Sequence, residues 1–261
     1  MKIRITHIDT ACILLEINGF KIVTDPTLDF AGKYYHHGFG AVSRKTENPA
    51  LPVTTLHGTD LVLLSHHQHN DNLDRAGKAF LASVPLILST KQAAKAIKGI
   101  TGLDSWESYK IETAKVPGLV ITATPAQHRP SWLPEFFSGK VTGFIIRYQG
   151  QKGGAIYISG DTVYFKGIEK VAERFEIGTA IMHVGDVQFR YLSGFGKYTM
   201  DSTDLIKAAK VLKPKKIIPV HHKGWSHFKE TEQHLRDKLT ASEFTKDIAL
   251  FLESGKTVDI G

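Results

Sequence analysis

The sequence has little cysteine chemistry and no long apolar run. Cys12 is the only cysteine among 261 residues, so an internal disulfide is excluded. Ile13-Leu14-Leu15 follows it, and we expect a buried strand residue rather than a thiolate ligand. No stretch approaches the ~18 apolar residues of a membrane helix, and no signal-peptide core follows Met1-Lys2-Ile3-Arg4. These absences predict a cytoplasmic protein without a membrane span.

Several familiar catalytic and binding patterns are also missing. The chain has no G-x-S-x-G nucleophile elbow and no paired-glycine phosphate loop. No linker or low-complexity run divides it, so we predict one domain over residues 1–261. The formal net charge of +7 permits anionic partners, but the lysines are scattered. We therefore expect a small-molecule substrate, do not expect nucleic acid as a partner, and leave a homo-oligomer open.

The stretch from Leu61 to Asp74 joins a short apolar run to a dense group of metal-binding side chains. Leu61 to Leu64 is typical of a short buried strand, and the polarity changes at Ser65. The side chains that follow and could bind a metal are His66, His67, His69, Asp71 and Asp74. Sites in open α/β sheets form at the carboxyl ends of strands, and imidazole is the commonest metal ligand. The stretch predicts a metal site; the alternative is a solvated, histidine-rich loop.

The same stretch resembles the metallo-β-lactamase superfamily. His67-Gln68-His69-Asn70-Asp71-Asn72 is similar to the H-x-H-x-D-H signature of that superfamily. The pattern S-H-x-Q-H-x-D-N-L-D of its ascorbate-6-phosphate-lactonase-like branch instead favours His66 as the first ligand, so His66 and His67 both stay candidates. Asn72 stands where the signature has histidine. Its amide oxygen is a weaker and uncharged donor, so the resemblance implies a looser second metal.

Three later strand ends supply further candidate ligands. His128, Asp161 and His221 each follow an apolar strand-like run. The resemblance implies that His128 is the third imidazole of one metal, that Asp161 bridges two metals and that His221 is the terminal ligand. By sequence alone His128 is more typical of a loop histidine, and Asp161 is more typical of a helix N-cap before residues 163–175. The pair His221-His222 is as typical of a surface as of a site.

Other residues are predicted to contact substrate or to support the site. The segment from Thr27 to Thr59 has no clear period, and an irregular segment of this length is either functional or disordered. The predicted substrate contacts are His37, Arg44, Trp132 and Lys223. Asp25 is an acid beneath the metals by the resemblance, or a turn residue beside Pro26 by its sequence. His183, within an apolar run, is interpreted as a core-edge histidine rather than a ligand, with a position under the site as the alternative.

The pattern of strands and helices predicts an α/β protein. Apolar strand-like runs alternate with helical spacing, which favours layered packing. Asn18-Gly19 between two such runs predicts a type I′ hairpin turn. The strings FKIVTDP (20–26) and AIYISGDT (155–162) form a faint internal repeat. The superfamily resemblance implies a four-layer αββα sandwich built of two similar β-rich halves.

The candidate ligands suit a metal-activated water. One metal would take His66 or His67, His69 and His128, and a second would take Asp71 and His221, with Asp161 between them. A bound divalent metal lowers the pKa of water from about 15.7 towards 7. The predicted catalytic residues are Asp71, which handles the water proton, and His222, which lies toward substrate. Ligation by His and Asp does not select the ion, so we expect one or two ions, with zinc and manganese before iron.

The predicted function is therefore a metal-dependent hydrolase. The resemblance is closest to the lactonase-like and N-acyl-phosphatidylethanolamine-phospholipase-D-like branch of the superfamily. It implies cleavage of an ester, lactone or phosphodiester bond in a small substrate, and the net charge of +7 allows an anionic one. The alternatives are a nuclease of the tRNase Z kind and a metal-binding protein with little turnover, which Asn72 keeps open.

Overall fold

The computed structural model describes residues 1–261, apart from the side chain of Leu192. Seven strands form the first sheet: β1 (Ile3–Asp9), β2 (Cys12–Ile17), β3 (Phe20–Thr24), β6 (Leu61–Leu63), β7 (Ile87–Thr90), β8 (Ile100–Leu103) and β15 (Thr257–Asp259). Their order is β15-β1-β2-β3-β6-β7-β8. The strands β1 to β3 are antiparallel, whereas β3, β6, β7 and β8 run in parallel. The carboxyl ends of β3 and β6 therefore meet at one edge.

The hairpin between β2 and β3 confirms the predicted turn. Asn18 and Gly19 have φ of 47° and 83°, and Ile17 pairs with Phe20 across the turn. Positive φ at both central residues is the geometry of a type I′ turn. Cys12 is buried in β2, as its apolar neighbours predict.

Six strands form the second sheet: β9 (Ser108–Ile111), β10 (Leu119–Pro125), β11 (Thr142–Arg147), β12 (Ala155–Ile158), β13 (Ile177–His183) and β14 (Lys216–Val220). Their order is β14-β13-β12-β11-β10-β9. The strands β9 to β12 are antiparallel, and β12, β13 and β14 are parallel. Each sheet therefore passes from antiparallel hairpins to parallel strands, and the faint internal repeat lies on equivalent strands, β3 and β12.

The described helices are α1 (Arg75–Leu81), α2 (Lys91–Ala96), α3 (Lys166–Arg174), α4 (Arg190–Ser193), α5 (Ser202–Leu212) and α6 (Glu232–Ala241). All of them except α4 cover the outer faces of the two sheets. A central apolar cluster joins strands of both sheets, such as β2 through Leu15 and β10 through Ile121. The first two helices pack on the outside of the first sheet, and α3, α5 and α6 on the outside of the second. This arrangement confirms the four-layer αββα sandwich.

Some elements were not predicted. The segment 27–59 contains a two-stranded ribbon, β4 (Tyr34–His36) and β5 (Val42–Arg44), and β8 and β9 follow α2. These strands have three or four residues each, too few for a period to emerge from the sequence. Helix α3 begins at Lys166, so Asp161 does not cap it, and that alternative is wrong. Among the described residues, each helix is too short or too polar to cross a bilayer.

Candidate metal centre and substrate pocket

Three imidazoles converge at the ends of two strands from different sheets. His69 Nδ1 lies 3.0 Å from His66 Nε2 and 3.1 Å from His128 Nε2. His66 and His69 follow β6, and His128 follows β10. His66 and His128 are buried. The arrangement presents three ring nitrogens to one point, as a metal ion requires.

Hydrogen bonds on the far side of the rings determine which nitrogen is free. His128 Nδ1 donates to the carbonyl oxygen of Tyr198 (2.9 Å), so its Nε2 carries the lone pair in the neutral ring. Ser65 Oγ lies 2.9 Å from His66 Nδ1 and leaves His66 Nε2 in the cluster. Burial lowers the pKa of His69 to about 3 and also lowers the pKa of His66 and His128. All three rings are therefore neutral donors at neutral pH.

A second cluster contains two carboxylates and one imidazole. His221 Nε2 lies 3.5 Å from Asp71 Oδ2 and 3.5 Å from Asp161 Oδ2. Asp161 Oδ2 also lies 3.8 Å from His128 Nε2. Asp161 therefore stands between the imidazole cluster and the carboxylate cluster.

The two oxygens of Asp161 have different surroundings. Oδ1 accepts hydrogen bonds from His183 Nδ1 (2.8 Å) and from the Asn72 amide nitrogen (3.4 Å). Oδ2 has no hydrogen-bond partner among the described residues, although it is buried. An unpartnered buried polar atom costs about 1–3 kcal/mol. One oxygen is thus held by the protein, and the other faces the two clusters.

The backbone before these ligands adopts unusual conformations. Gly160 has φ of 60°, and a Cβ there would lie 2.4 Å from the carbonyl oxygen of Thr142. Only glycine fits this close approach, which delivers Asp161 into the site. His221 itself has φ of 63°, a left-handed conformation that costs a non-glycine residue roughly 1–2 kcal/mol. This conformation turns its imidazole away from the direction of β14.

His183, at the end of β13, links aspartates of the two halves. Its Nδ1 donates to Asp161, and its Nε2 lies 3.9 Å from Asp25 Oδ2. Its ring stacks on His221 with centroids 5.4 Å apart and planes 16° apart. Asp25 Oδ1 accepts a hydrogen bond from the backbone N–H of Ser65 (2.6 Å). The predicted core-edge histidine is thus part of the site, and Asp25 lies beneath it and holds the histidine-rich loop.

The electrostatics keep both carboxylates of the second cluster ionised. Burial alone would raise the pKa of Asp71, but His221 and His227 outweigh it and hold that pKa well below its usual range. Burial also opposes ionisation of Asp161, but the charge of His221 and the hydrogen bond from His183 hold its pKa below its usual range. In turn Asp161 and Asp71 overcome the effect of burial and raise the pKa of His221. The cluster suits a divalent cation.

The donor set fits a metal pair. The buried atoms that lack a hydrogen-bond partner in the described part of the chain include Asp71 Oδ1, Asp161 Oδ2 and His221 Nε2. These are nitrogen and carboxylate donors of the kind that zinc and manganese accept. Asn72 is fully buried and directs its amide nitrogen toward Asp161 and Ser65 Oγ. In this orientation Asn72 holds Asp161 instead of presenting its oxygen as a ligand.

Two further histidines enclose Asp71 and line the substrate pocket. His227 Nε2 donates to Asp71 Oδ2 (3.0 Å), and His37 Nδ1 lies 3.5 Å from Asp71 Oδ1. His37 Nε2 lies 2.7 Å from Ser43 Oγ, which fixes the ring on the β4–β5 ribbon. Both imidazoles line a cavity beside the candidate metal centre. The other lining residues are Gly38, Phe39, Ala41, His69, Asp71, His128, Phe137, Val187, Phe189 and Tyr198.

Several predicted site residues lie elsewhere. His67 is half-buried, and the cluster contains His66 in its place. Trp132 is 63% exposed, and Arg44 is exposed on β5. Neither of them lines the cavity formed by the described residues, because both side chains project outward from their loops.

His222 and Lys223 engage α6 instead of the cavity. His222 Nε2 lies 3.7 Å and Lys223 Nζ 3.5 Å from Glu232 Oε2. Because the backbone turns sharply at His221, the side chains of His222 and Lys223 point away from that histidine. The sequence had a signal for His183, since it too ends an apolar strand. It also had one for His227, because PVHHKGWSHF (219–228) resembles the P-V-H-x-x-G-W-x-H-F ending of the lactonase-like branch.

Comparisons with known proteins agree with this geometry. A model of the beta-lactamase superfamily domain matches residues 4–221. The chain is 23% identical to a UPF0173 metal-dependent hydrolase of Natranaerobius thermophilus, over 98% of this chain and 99% of that protein. It superposes on isothiocyanate hydrolase from Delia radicum gut bacteria with a TM-score of 0.81 at 24% identity, covering 98% of each chain. It also superposes on Igni18, a metallo hydrolase from Ignicoccus hospitalis, with a TM-score of 0.73 at 22% identity, covering 100% and 99% of the two chains.

Proposed function

We propose that the chain binds two divalent metal ions and cleaves an ester, lactone or phosphodiester bond. The premise is that the chain belongs to the beta-lactamase superfamily and is a metal-dependent hydrolase. The substrate is a small molecule, and residues 1–261 act as one hydrolase domain. Asp161 Oδ2 carries the proposal, because it is buried and ionised between His128 and His221 and has no hydrogen-bond partner among the described residues. A carboxylate oxygen in that position suits a bridge between two cations.

The two clusters of side chains indicate which residues would bind each metal ion. His66, His69 and His128 would hold one ion, and Asp71, Asp161 and His221 would hold the other. A bound metal pair supplies a water of lowered pKa and polarises the bond under attack. Nothing in this assignment requires a serine or cysteine nucleophile.

The protein's own groups position the reaction and move protons. Asp71 Oδ1 has no hydrogen-bond partner in the described chain and lies at the cavity, so it can accept the proton of the attacking water. His227 holds the other oxygen of Asp71 in place. For an ester or lactone, a new C–O bond forms at the carbonyl carbon and the original C–O bond breaks. The leaving oxygen then takes a proton, and His37 and His227 are the imidazoles of the cavity that lie outside the first ligand cluster.

The name of one structural neighbour adds a substrate to test. Isothiocyanate hydrolase acts, by its name, on isothiocyanates. Their central carbon is an electrophile, so attack by water and cleavage of the C–N bond would need the same groups. We therefore place isothiocyanates beside lactones, esters and phosphodiesters in the substrate panel.

The test combines metal content with turnover. We expect protein purified without added metal to contain about two equivalents of zinc or manganese, and to hydrolyse at least one panel member. Asp161→Asn should lower both quantities, whereas Asp237→Asn, on the exposed face of α6, should change neither. Absence of bound metal after reconstitution with zinc or manganese would overturn the proposal.

Three sequence-based expectations stay predictions. They are the cytoplasmic location, the homo-oligomer left open and the choice of zinc or manganese over iron. The likeness to the lactonase-like and phospholipase-D-like branch also stays a prediction, and the substrate panel tests it directly.

A further inference from the structure

We infer that the substrate is a neutral molecule that carries an aryl or similarly bulky apolar group beside the bond that is cleaved. This inference rests on the proposed hydrolase function and narrows its substrates to neutral esters and lactones, since a phosphodiester is anionic. The cavity above the metal centre has a polar floor of imidazoles and Asp71, whereas Phe39, Phe137, Val187 and Phe189 form its walls. Neither lysine nor arginine lines it among the described residues. The side chains of such a pocket bind apolar surface and include no lysine or arginine that would pair with an anionic substituent away from the metal centre.

The apolar wall forms a cluster separate from the main core. Leu133, Val187 and Tyr198 pack together with Phe137 and Phe189. These residues come from the loops after β10 and β13, which are far apart in the chain. A wall with its own packing keeps a fixed shape, so it can select a substituent by size.

Aromatic contacts place this wall next to the reacting groups. The ring of Phe189 stacks on His227 with centroids 5.4 Å apart, and Tyr198 meets His128 edge to face at 5.8 Å. At the mouth Phe39 contacts Phe137, with centroids 4.7 Å apart. A substituent between Phe39, Phe137 and Phe189 would therefore lie within one ring's width of the cleaved bond.

A polar alternative exists on another side of His128. That histidine also lines a second cavity of about 280 Å³ with Lys91, Arg129 and Lys140. Lys91 Nζ is paired with Asp104 (2.6 Å), and the Arg129 guanidinium donates to the carbonyl oxygen of Leu133 (2.6 Å). His69 and Asp71 do not line this cavity. An anionic substrate would have to use it, which gives the inference a clear competitor.

The experiment uses metal-loaded protein and lactones that share one ring. One lactone carries a phenyl group, one a carboxylate and one no substituent. We expect kcat/KM to favour the phenyl lactone over the carboxylate lactone by at least about ten-fold, the scale of discrimination by an apolar pocket. Phe137→Ala should raise KM for the phenyl lactone about ten-fold and raise KM for the unsubstituted lactone by a smaller factor. Preference for the carboxylate lactone would overturn the inference and leave the hydrolase function intact.

A matched variant and a binding measurement complete the test. Phe195 is 81% exposed, packs on Arg190 and lies outside the cavity lining, so Phe195→Ala should alter neither lactone. Equal effects of Phe195→Ala and Phe137→Ala would overturn the pocket assignment. Saturation-transfer NMR with phenylacetamide, a neutral arene without a hydrolysable ester, should show binding that Phe137→Ala abolishes. If no lactone is hydrolysed, the hydrolase proposal fails for this bond, and the NMR result alone still decides whether the pocket binds an aryl group.

Discussion

The two halves of the molecule each place an aspartate after the returning strand of a hairpin, and the two carboxyls behave oppositely. Asp25 follows β3, and Asp161 follows β12. Burial raises the pKa of Asp25 to about 8. Burial acts in the same direction on Asp161, but His221 and His183 outweigh it and hold the pKa below its usual range. The repeat sets the position of each aspartate in the chain. The residues around that aspartate determine whether it is an ionised ligand or a neutral support.

The neighbours differ because the two loops differ. Asp25 accepts the backbone N–H of Ser65 and lies 3.9 Å from His183 Nε2. Asp161 faces His128 and His221 through its Oδ2 oxygen. A buried carboxylate beside several imidazoles is stabilised as an anion, whereas one beside a single backbone N–H is not. The comparison therefore assigns a supporting role to Asp25 and a ligand role to Asp161, whereas both halves contribute histidine ligands.

Metal removal should give the largest effect, complete loss of turnover with the fold retained. In the described part of the chain, the apolar cluster between the two sheets contains no candidate metal ligand, so neither half depends on metal for its core. A metal present at 100 times its Kd contributes about 2.7 kcal/mol, which is roughly 5–10 °C in Tm. Circular dichroism before and after chelation measures both fold and Tm. Loss of secondary structure on chelation would show that the site is structural.

Replacement of the two aspartates should then separate their roles. Asp161→Asn removes a charge that faces several imidazoles, so we expect metal binding to weaken by about 3–5 kcal/mol, a factor of 10² or more. Asp25→Asn keeps an oxygen acceptor for Ser65 N–H, and we expect less than about a ten-fold change. Metal affinity by competition with a chromophoric chelator measures both variants. Equal losses would contradict the assigned difference between the halves.

His183 provides a smaller effect, because it acts on the metal through Asp161. His183→Phe keeps a ring beside His221 but removes the donor to Asp161 Oδ1, and such a loss weakens metal binding about 10- to 100-fold. His183→Asn retains an N–H donor and should recover part of the affinity. A structural role alone would make the more disruptive variant, Asn, the worse binder.

The strands that carry the ligands were predicted more accurately from the sequence than the residues that surround those ligands. The Asn18-Gly19 turn and the apolar strand before His66 are local patterns, and the structure contains both. The pattern of the lactonase-like branch favoured His66, but both His66 and His67 stayed candidates, because one residue of offset in a loop depends on tertiary contacts. His66 is fully buried beside Ser65, whereas His67 is half-buried. Local pattern therefore locates a site without identifying each of its members.

The substrate pocket was the least predictable part. Its walls come from three loops, and their contacts, such as Phe39 with Phe137, join residues about a hundred positions apart. Arg44, Trp132 and Lys223 were predicted as substrate contacts from their chemical type alone. In the structure Phe189 and Tyr198 line the pocket instead. No local sequence pattern distinguishes these two residues from aromatic residues of the core.

We expect His7→Gln to have the smallest effect on turnover. The pKa of His7 extends the comparison to another buried titratable group of the first half. Burial lowers the pKa of His7 to about 4, the opposite direction from His221, because no carboxylate of the described residues contacts it. Its Nε2 lies 3.1 Å from the carbonyl oxygen of Thr10, and its Nδ1 2.9 Å from Ser254 Oγ. These contacts suit a neutral ring.

The lowered pKa of His7 determines how the free energy of unfolding changes with pH. Above pH ~6.5 His7 is neutral in both states, and as pH falls toward 4 only the unfolded chain takes the proton. The wild type should therefore lose about 3 kcal/mol of unfolding free energy over this interval relative to His7→Gln. Denaturant unfolding of both proteins at several pH values measures the difference, and titration of the shared metal ligands cancels. A constant difference between the proteins would mean that His7 is protonated in the folded state, and that burial in the first half does not determine its charge.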